Sequence, residues 1–307
     1  MKYEKKALSL EDQADQLLER GLIADRAELM MRLQAVNYYR MSGYLHPYRI
    51  RDDEGKPTDN YQAGTTLEEV WRRYNFDRRL RIILLDAIER VEVAVRTRLV
   101  FHFTHAYGPF GYLEPENLPG LKSISEYLEW RGNLAQETKR AKNEQFVKHF
   151  HGKYGDVHRE PPLWMLCELM SYGSMLRLAS GVEPAIQQAV AKEFEMSDKQ
   201  FFSWLKALYS VRNACAHHSR VWNRIFGVAP MTPHKNKFSK WHEEPKLPNN
   251  RVGYALAICR FWLNKITPTS QWQQRLFDLL DEYPEIPLDN MGLPDDWRKH
   301  PLFEAKQ

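Results

Sequence analysis

Leu80-Arg81-Ile82-Ile83-Leu84-Leu85-Asp86-Ala87-Ile88-Glu89-Arg90-Val91-Glu92-Val93-Ala94-Val95-Arg96-Thr97-Arg98-Leu99 decides the fold class. Apolar residues recur at Leu80, Ile83, Leu84, Ala87, Ile88, Val91, Val95 and Leu99. Steps of three and four lay one stripe along an α-helix and turn it toward a core. Upstream, Thr66-Leu67-Glu68-Glu69 supplies the start, a hydroxyl at the cap and a glutamate three residues on. The helix is expected to reach about His105, with Asn75 to Asp77 marking a break within it.

Helix signals continue in both directions. Ser9-Leu10-Glu11-Asp12 reads as a capping box, and the helix behind it sets Leu10, Ala14, Leu17 and Leu18 on one face before stopping at Gly21. Asp25 can cap a second helix carrying Ala27, Met30, Met31 and Leu33. From Arg51 to Gly64 the chain turns polar and reads as a loop or short hairpin. Glycines and prolines make Tyr107 to Leu121 a connection. Ser123-Ile124-Ser125-Glu126 opens a helix expected to run to about Phe150. Pro161-Pro162 precedes Leu163-Trp164-Met165, and Pro184 to Phe194 suits a short helix. Ser197 caps another, Phe226 to Asn250 is a Pro- and Lys-rich loop, and Arg251 to Ile266 and Ser270 to Leu280 read as the last helices. With no convincing strand pair and no internal repeat, the expected fold is all-α. Its expected divisions are a helical extension over 1–64, a core over 65–281 with the basic loop at 226–250, and a tail over 282–307.

Composition narrows the function classes. With 307 residues and 43% apolar content the chain can bury a sizeable core. It has no apolar run long enough for a transmembrane helix, and Met1-Lys2-Tyr3-Glu4-Lys5-Lys6 lacks a secretory core, so a cytoplasmic protein without membrane contact is expected. Cys167, Cys215 and Cys259 are odd in number and widely spaced, which argues against a disulfide framework or zinc site. The formal net charge is +4, yet Phe201 to Arg260 holds ten Lys/Arg against two acids. That block implies a surface for a polyanion, or else a solvated lysine-rich loop. No G-x4-G-K-[ST], H-E-x-x-H, C-x-x-C or G-x-S-x-G occurs, so nucleotide hydrolysis, zinc proteolysis and serine esterase chemistry have no support. No cofactor and no metal is expected.

Within the basic block lies Val211-Arg212-Asn213-Ala214-Cys215-Ala216-His217-His218-Ser219-Arg220-Val221-Trp222-Asn223-Arg224. On a helix Asn213 and His217 share a face, and Arg212 sits about 100° around. The trio suits RNA cleavage without a metal. Attack by a 2′-OH on its neighbouring phosphate needs one proton removed, one donated and positive charge on the phosphoryl oxygens. Histidine can exchange the protons, arginine can fork onto the phosphate, and asparagine can orient the ring. One copy supplies one such histidine for two proton transfers, so a homodimer with a composite cleft is the natural arrangement. His218 is expected to face away, on the same helical geometry. An Arg and a His five apart also arise often by chance.

Beyond that segment, Asn37-Tyr38-Tyr39-Arg40-Met41-Ser42-Gly43-Tyr44, Tyr74 to Arg81, Ile88 to Thr97, and Pro162-Leu163-Trp164-Met165 with Ser171-Tyr172-Gly173 fall in order along the chain. Together with Val211–Arg224 these blocks resemble the Abi-like family of abortive-infection proteins, placed in the HEPN superfamily. The resemblance covers most of residues 10–225. It implies a HEPN-like helical bundle with an R-x4-H motif, in which Arg212 and His217 match the invariant pair and Asn213 the polar residue after the arginine. It further implies a dimeric, metal-independent endoribonuclease of phage defence or of a toxin–antitoxin pair. The alternative is a non-cleaving protein that holds a structured small RNA, regulatory or antitoxin. A purely protein-binding scaffold is a third reading.

Further RNA contacts are expected from Arg96, which lies in a family block, from Arg220 and Arg224, read as extending the helical face of His217, and from Lys235, Lys237 and Lys240. Trp241 beside these lysines would allow base stacking. Arg78, Arg79, Arg81 and Arg98 are expected to pair with acids instead. Tyr38, Tyr39 and Tyr44 are expected in the core or at a junction.

Overall fold

A computed structural model describes residue 4 and residues 6–304 of the chain. The reading of the N-terminal hexapeptide falls largely outside the described residues. Twelve α-helices and one two-stranded sheet occur among those residues, so the fold is all-α. None of the helices is long and apolar enough to cross a membrane. The chain divides into two compact units, Met1–Ile82 with Leu276–Pro287, and Ile83–Arg275 with Leu288–Gln307.

The first unit contains α1 (Leu10–Glu19), α2 (Arg26–Val36), α3 (Tyr38–Leu45), the hairpin of β1 (Arg49–Arg51) and β2 (Pro57–Tyr61), and the start of α4 (Leu67–Tyr107). The expected caps form: Ser9 Oγ accepts from Asp12 N at 3.1 Å, and Asp25 Oδ1 from Glu28 N at 2.8 Å. At the other end of α1, Gly21 adopts φ +96°, Gly21 N donates to Leu18 O and Leu22 N to Leu17 O. That Schellman turn closes the helix through a residue without a Cβ. The polar stretch resolves as an antiparallel hairpin, Arg49 opposite Tyr61 and Arg51 opposite Pro57.

The expected break at Asn75 to Asp77 is absent. α4 runs unbroken because the buried Asp77 carboxylate is paired with Arg81 one turn on and receives the Tyr44 hydroxyl at 2.7 Å. A carboxylate is costly in an apolar interior unless paired and hydrogen-bonded, and here it is both. Tyr44 is thus a core residue, whereas Tyr39 is 89% exposed.

The second unit takes the remainder of α4, then α5 (Ile124–Arg140), α6 (Gln145–Tyr154), α7 (Leu163–Leu166), α8 (Tyr172–Gly181), α9 (Pro184–Glu193), α10 (Asp198–Ala216) and α11 (Val252–Ile266). α12 (Trp272–Glu282) begins here and ends in the first unit. The single helix expected from Ser123 to Phe150 is two. The apolar face of α5, Tyr127, Trp130 and Leu134, runs out before Thr138, and nothing large and apolar returns until Phe146. Without a face to bury, the intervening turn has little to hold it helical.

The core of this unit is aromatic. Phe194, Phe201, Trp204 and Trp262 are buried with ring centroids 5.2–6.0 Å apart. Each such side chain contributes about 1.5–3 kcal/mol by leaving water. The expected tail is also packed: Leu293, Trp297 and Phe303 are buried.

Candidate active site

α10 carries the motif, and its position follows from what packs on it. Ser197 Oγ accepts from Gln200 N and starts the helix. Phe201, Trp204, Leu205, Leu208 and Val211 are buried, so the helix is held along its length by its apolar stripe. From α8, Tyr172 lies stacked on Tyr209 with centroids 5.4 Å apart, and its hydroxyl donates to Leu205 O. Gly173 permits this approach, since a Cβ there would stand 3.1 Å from the Tyr209 hydroxyl.

The helix ends inside the motif. His217 is the cap and its N–H donates to Asn213 O at 2.9 Å, which keeps Asn213 and His217 one turn apart as expected. His218 then takes the left-handed conformation with φ +55°. His218 N donates to Cys215 O at 3.0 Å and Ser219 N to Ala214 O at 2.8 Å, a complete Schellman turn. Two expectations change. Arg220 and Arg224 do not extend the face of His217, because α10 ends at Ala216; they flank the buried Val221-Trp222 pair, and Arg224 lies over Phe226. The orientation argued for His218 from helical geometry does not apply to a residue outside the helix.

His217 and His218 are exposed, and Arg212 and Asn213 are half-buried. Among the described residues, the side chains of Arg212, Asn213 and His217 take part in no hydrogen bond or ion pair. In the neighbouring stretch of α4 the arrangement is the reverse. Glu92 and Arg96, one turn apart on α4, form an ion pair at 2.6 Å with only 13% and 11% of their side chains exposed. Arg96 also donates to Met170 O at 2.9 Å. Burial raises the Glu92 carboxyl above its usual range, and the charges of Arg96 and then Arg212 pull it back. Burial likewise pushes the Tyr172 phenol well up, Glu92 adds to this, and Arg212 opposes it. Arg212 thus lies within electrostatic reach of Glu92 and Tyr172 without bonding either.

Arg96, a candidate RNA contact, is therefore engaged by the Glu92 carboxylate and the Met170 carbonyl. Glu92 and Tyr172 emerge as neighbours that sequence reasoning had not placed there. The four-residue Glu-to-Arg spacing was the available signal for the first. Of the remaining arginines, Arg79 pairs with Glu282, Arg81 with Asp77 and Arg98 with Glu193.

The basic loop is anchored to the far half of α10. Trp204 Nε1 donates to Met231 O at 2.8 Å, and Met231 N to Ser203 Oγ at 2.7 Å. Lys235, Lys237 and Lys240 are exposed on it. Trp241 is not a stacking platform: it is buried, 4.8 Å from the Trp204 ring and 5.0 Å from that of Tyr254. No group of three or more His, Cys, Asp or Glu able to hold a metal ion occurs among the described residues.

A family model described as "Abi-like protein" matches residues 31–223, more than half of the chain. The match begins in α2 and stops just past the motif, so it includes Glu92, Arg96, Tyr172, Arg212, Asn213 and His217. No curated protein and no solved structure matches the chain.

Proposed function

The chain belongs to the Abi-like protein family, and from that premise we propose that it is a HEPN-type, metal-independent endoribonuclease acting in abortive-infection defence, alone or as the toxin of a toxin–antitoxin pair. The carrying observation is the end of α10, where Arg212, Asn213 and His217 lie within two turns of one another and, among the described residues, make no hydrogen bond or ion pair, while the nearby Glu92 is paired with Arg96. Unbonded donors at a surface are ready to receive a ligand, and this set matches one phosphodiester.

In the proposed reaction Arg212 grips the non-bridging phosphate oxygens. A histidine takes the proton from the ribose 2′-OH, whose oxygen then bonds to phosphorus. The bond from phosphorus to the 5′-oxygen breaks, and a second histidine supplies that oxygen with a proton. The products are a 2′,3′-cyclic phosphate and a 5′-hydroxyl. Asn213 orients the ring of His217. Two copies of the chain in a homodimer supply His217 twice, one as base and one as acid. General acid–base catalysis of this kind contributes about 10²–10⁴-fold.

The test is incubation of purified protein with RNA in EDTA. Wild type is expected to cut and to leave cyclic phosphate ends, and His217→Ala to lose at least about 100-fold in rate. Equal cutting by both proteins, or cutting only after metal is added, would remove the mechanism. The net positive stretch Phe201–Arg260 favours one second reading, an RNA-binding protein that holds a structured small RNA without cleaving it. A single RNA that co-purifies and stays intact on incubation would select that reading.

A further inference from the structure

A second feature of the same unit lies away from the motif. Lys237, Lys240, Arg260 and Arg298 line a half-open groove of about 1000 Å³, with Phe238 and Phe261 between them. Among the described residues, the acid on its wall is Glu304. Trp241 also lines the groove and packs on Trp204, thirteen residues before His217 on α10. At 1.5 Å per residue, about 20 Å of helix axis separates the two places.

The four cations are not equivalent. The Arg260 guanidinium is committed: it donates to Gln273 Oε1 at 2.7 Å and to the carbonyls of Leu302 and Glu304. It fixes the wall and leaves its charge behind it. The Arg298 guanidinium carbon lies over the Trp297 ring, 4.8 Å from its centre. Lys237 sits 5.5 Å from the Phe238 ring centre, and Lys240 stands 3.6 Å from Glu304 with both side chains more than half exposed. An ion pair so exposed is weak and readily exchanged for a phosphate. Phe238 and Phe261 meet edge to face at 5.7 Å and are only half-buried, so they offer apolar surface between the charges.

We propose that this groove seats a single-stranded segment of RNA remote from the cut phosphate, with Lys237 and Lys240 on its phosphates and Phe238 and Phe261 against its bases. Cationic side chains together with half-exposed rings are the chemistry that holds single strands regardless of sequence. The volume exceeds what one phosphate needs and suits a run of nucleotides. The inference rests on the reading of RNA as the ligand of this protein. It adds a second contact on the strand, one that sets affinity and salt dependence and takes no part in the bond changes.

The experiment uses the full chain carrying His217→Ala, so that bound RNA is not cut, and a fluorescent single-stranded RNA of about 20 nucleotides read by anisotropy over a salt series. Adding Lys237→Gln with Lys240→Gln is expected to weaken binding about tenfold at low salt. It should also lessen the slope of log affinity against log salt by about 1.4, two contacts at 0.7 each. Glu304→Gln is expected to act in the opposite direction and tighten binding about two- to threefold, because it frees Lys240 and removes that acid. That reversal of sign would not follow from a general loss of fold. Unchanged affinity and slope in the lysine variant would overturn the groove while leaving the proposed ribonuclease intact. Equal loss of binding to a polyglutamate peptide would reassign the groove to acidic protein chains. A parent protein that binds no RNA at low salt would end both proposals together.

Discussion

The C-terminal ends of α1 and α10 close with the same pair of backbone hydrogen bonds, yet their side chains are opposites. At α1 the left-handed position is Gly21, and the capping Arg20 donates to the Tyr38 hydroxyl at 2.9 Å and to Asp59 at 3.3 Å. At α10 the left-handed position is His218, and Arg212, Asn213 and His217 make no hydrogen bond or ion pair among the described residues. α9 shows that a non-glycine residue there is not itself diagnostic. It ends on Glu195 at φ +58°, with that carboxylate held by Lys265 at 2.6 Å. What sets α10 apart is the combination of a strained backbone with unspent polar groups. Backbone strain lowers stability and concentrates where a ligand is to be bound, and polar groups held by water alone can exchange that water for a ligand.

Matched substitutions should break the comparison apart. Arg212→Ala is expected to lower RNA cleavage by at least about 100-fold while moving stability by no more than about 0.5 kcal/mol, since it removes phosphate binding but no internal bond. Arg20→Ala should do the reverse. It should cost about 1 kcal/mol through the lost bond to Tyr38, with little from the exposed Asp59, and leave cleavage per folded molecule unchanged. Urea unfolding beside a single-turnover assay reads both. A loss of several kcal/mol in Arg212→Ala would mean that its guanidinium is a structural strut. Gly21→Ala comes next, at about 1–2 kcal/mol. Its Cβ has room, the nearest atom being Tyr61 O at 3.6 Å, so the cost is the backbone conformation alone.

How far the sequence foretold these ends depends on the residue types that mark them. Gly21 announced the stop of α1, and Ser9, Asp25, Ser123 and Ser197 announced starts that the backbone fulfils. Period and caps are local signals, so the helical fold and the one-turn spacing of Asn213 and His217 could be read directly. The stop of α10 could not. His217-His218-Ser219 holds no glycine, and apolar Val221 and Trp222 follow at a plausible helical interval. Their burial is made by tertiary packing, which also hides Trp241 and ties Arg96 to Glu92 and Met170 O. Asn75 to Asp77 misled for the same reason: a polar stretch on the expected core side read as a break, whereas Arg81 and Tyr44 are brought to the buried Asp77. One-dimensional pattern gave which residues carry chemistry, and three-dimensional packing decided which of them face a ligand.

His218→Gly is the smallest effect and the closest test of the difference between the two ends. Releasing a left-handed non-glycine residue gains about 1–2 kcal/mol. The greater freedom of glycine in the unfolded chain takes back about 0.4–1 kcal/mol, and the contacts of the ring are lost as well. A net gain of about 0.5 kcal/mol in chemical denaturation is the expected result. If His218 holds the turn but moves no proton, cleavage should stay within about twofold, and α10 would then resemble α1 in its backbone and differ only in its open trio. A fall in cleavage approaching that of His217→Ala, with stability still raised, would instead make His218 a second proton-transfer group within one chain. The need for two copies of His217 in a composite cleft would then disappear.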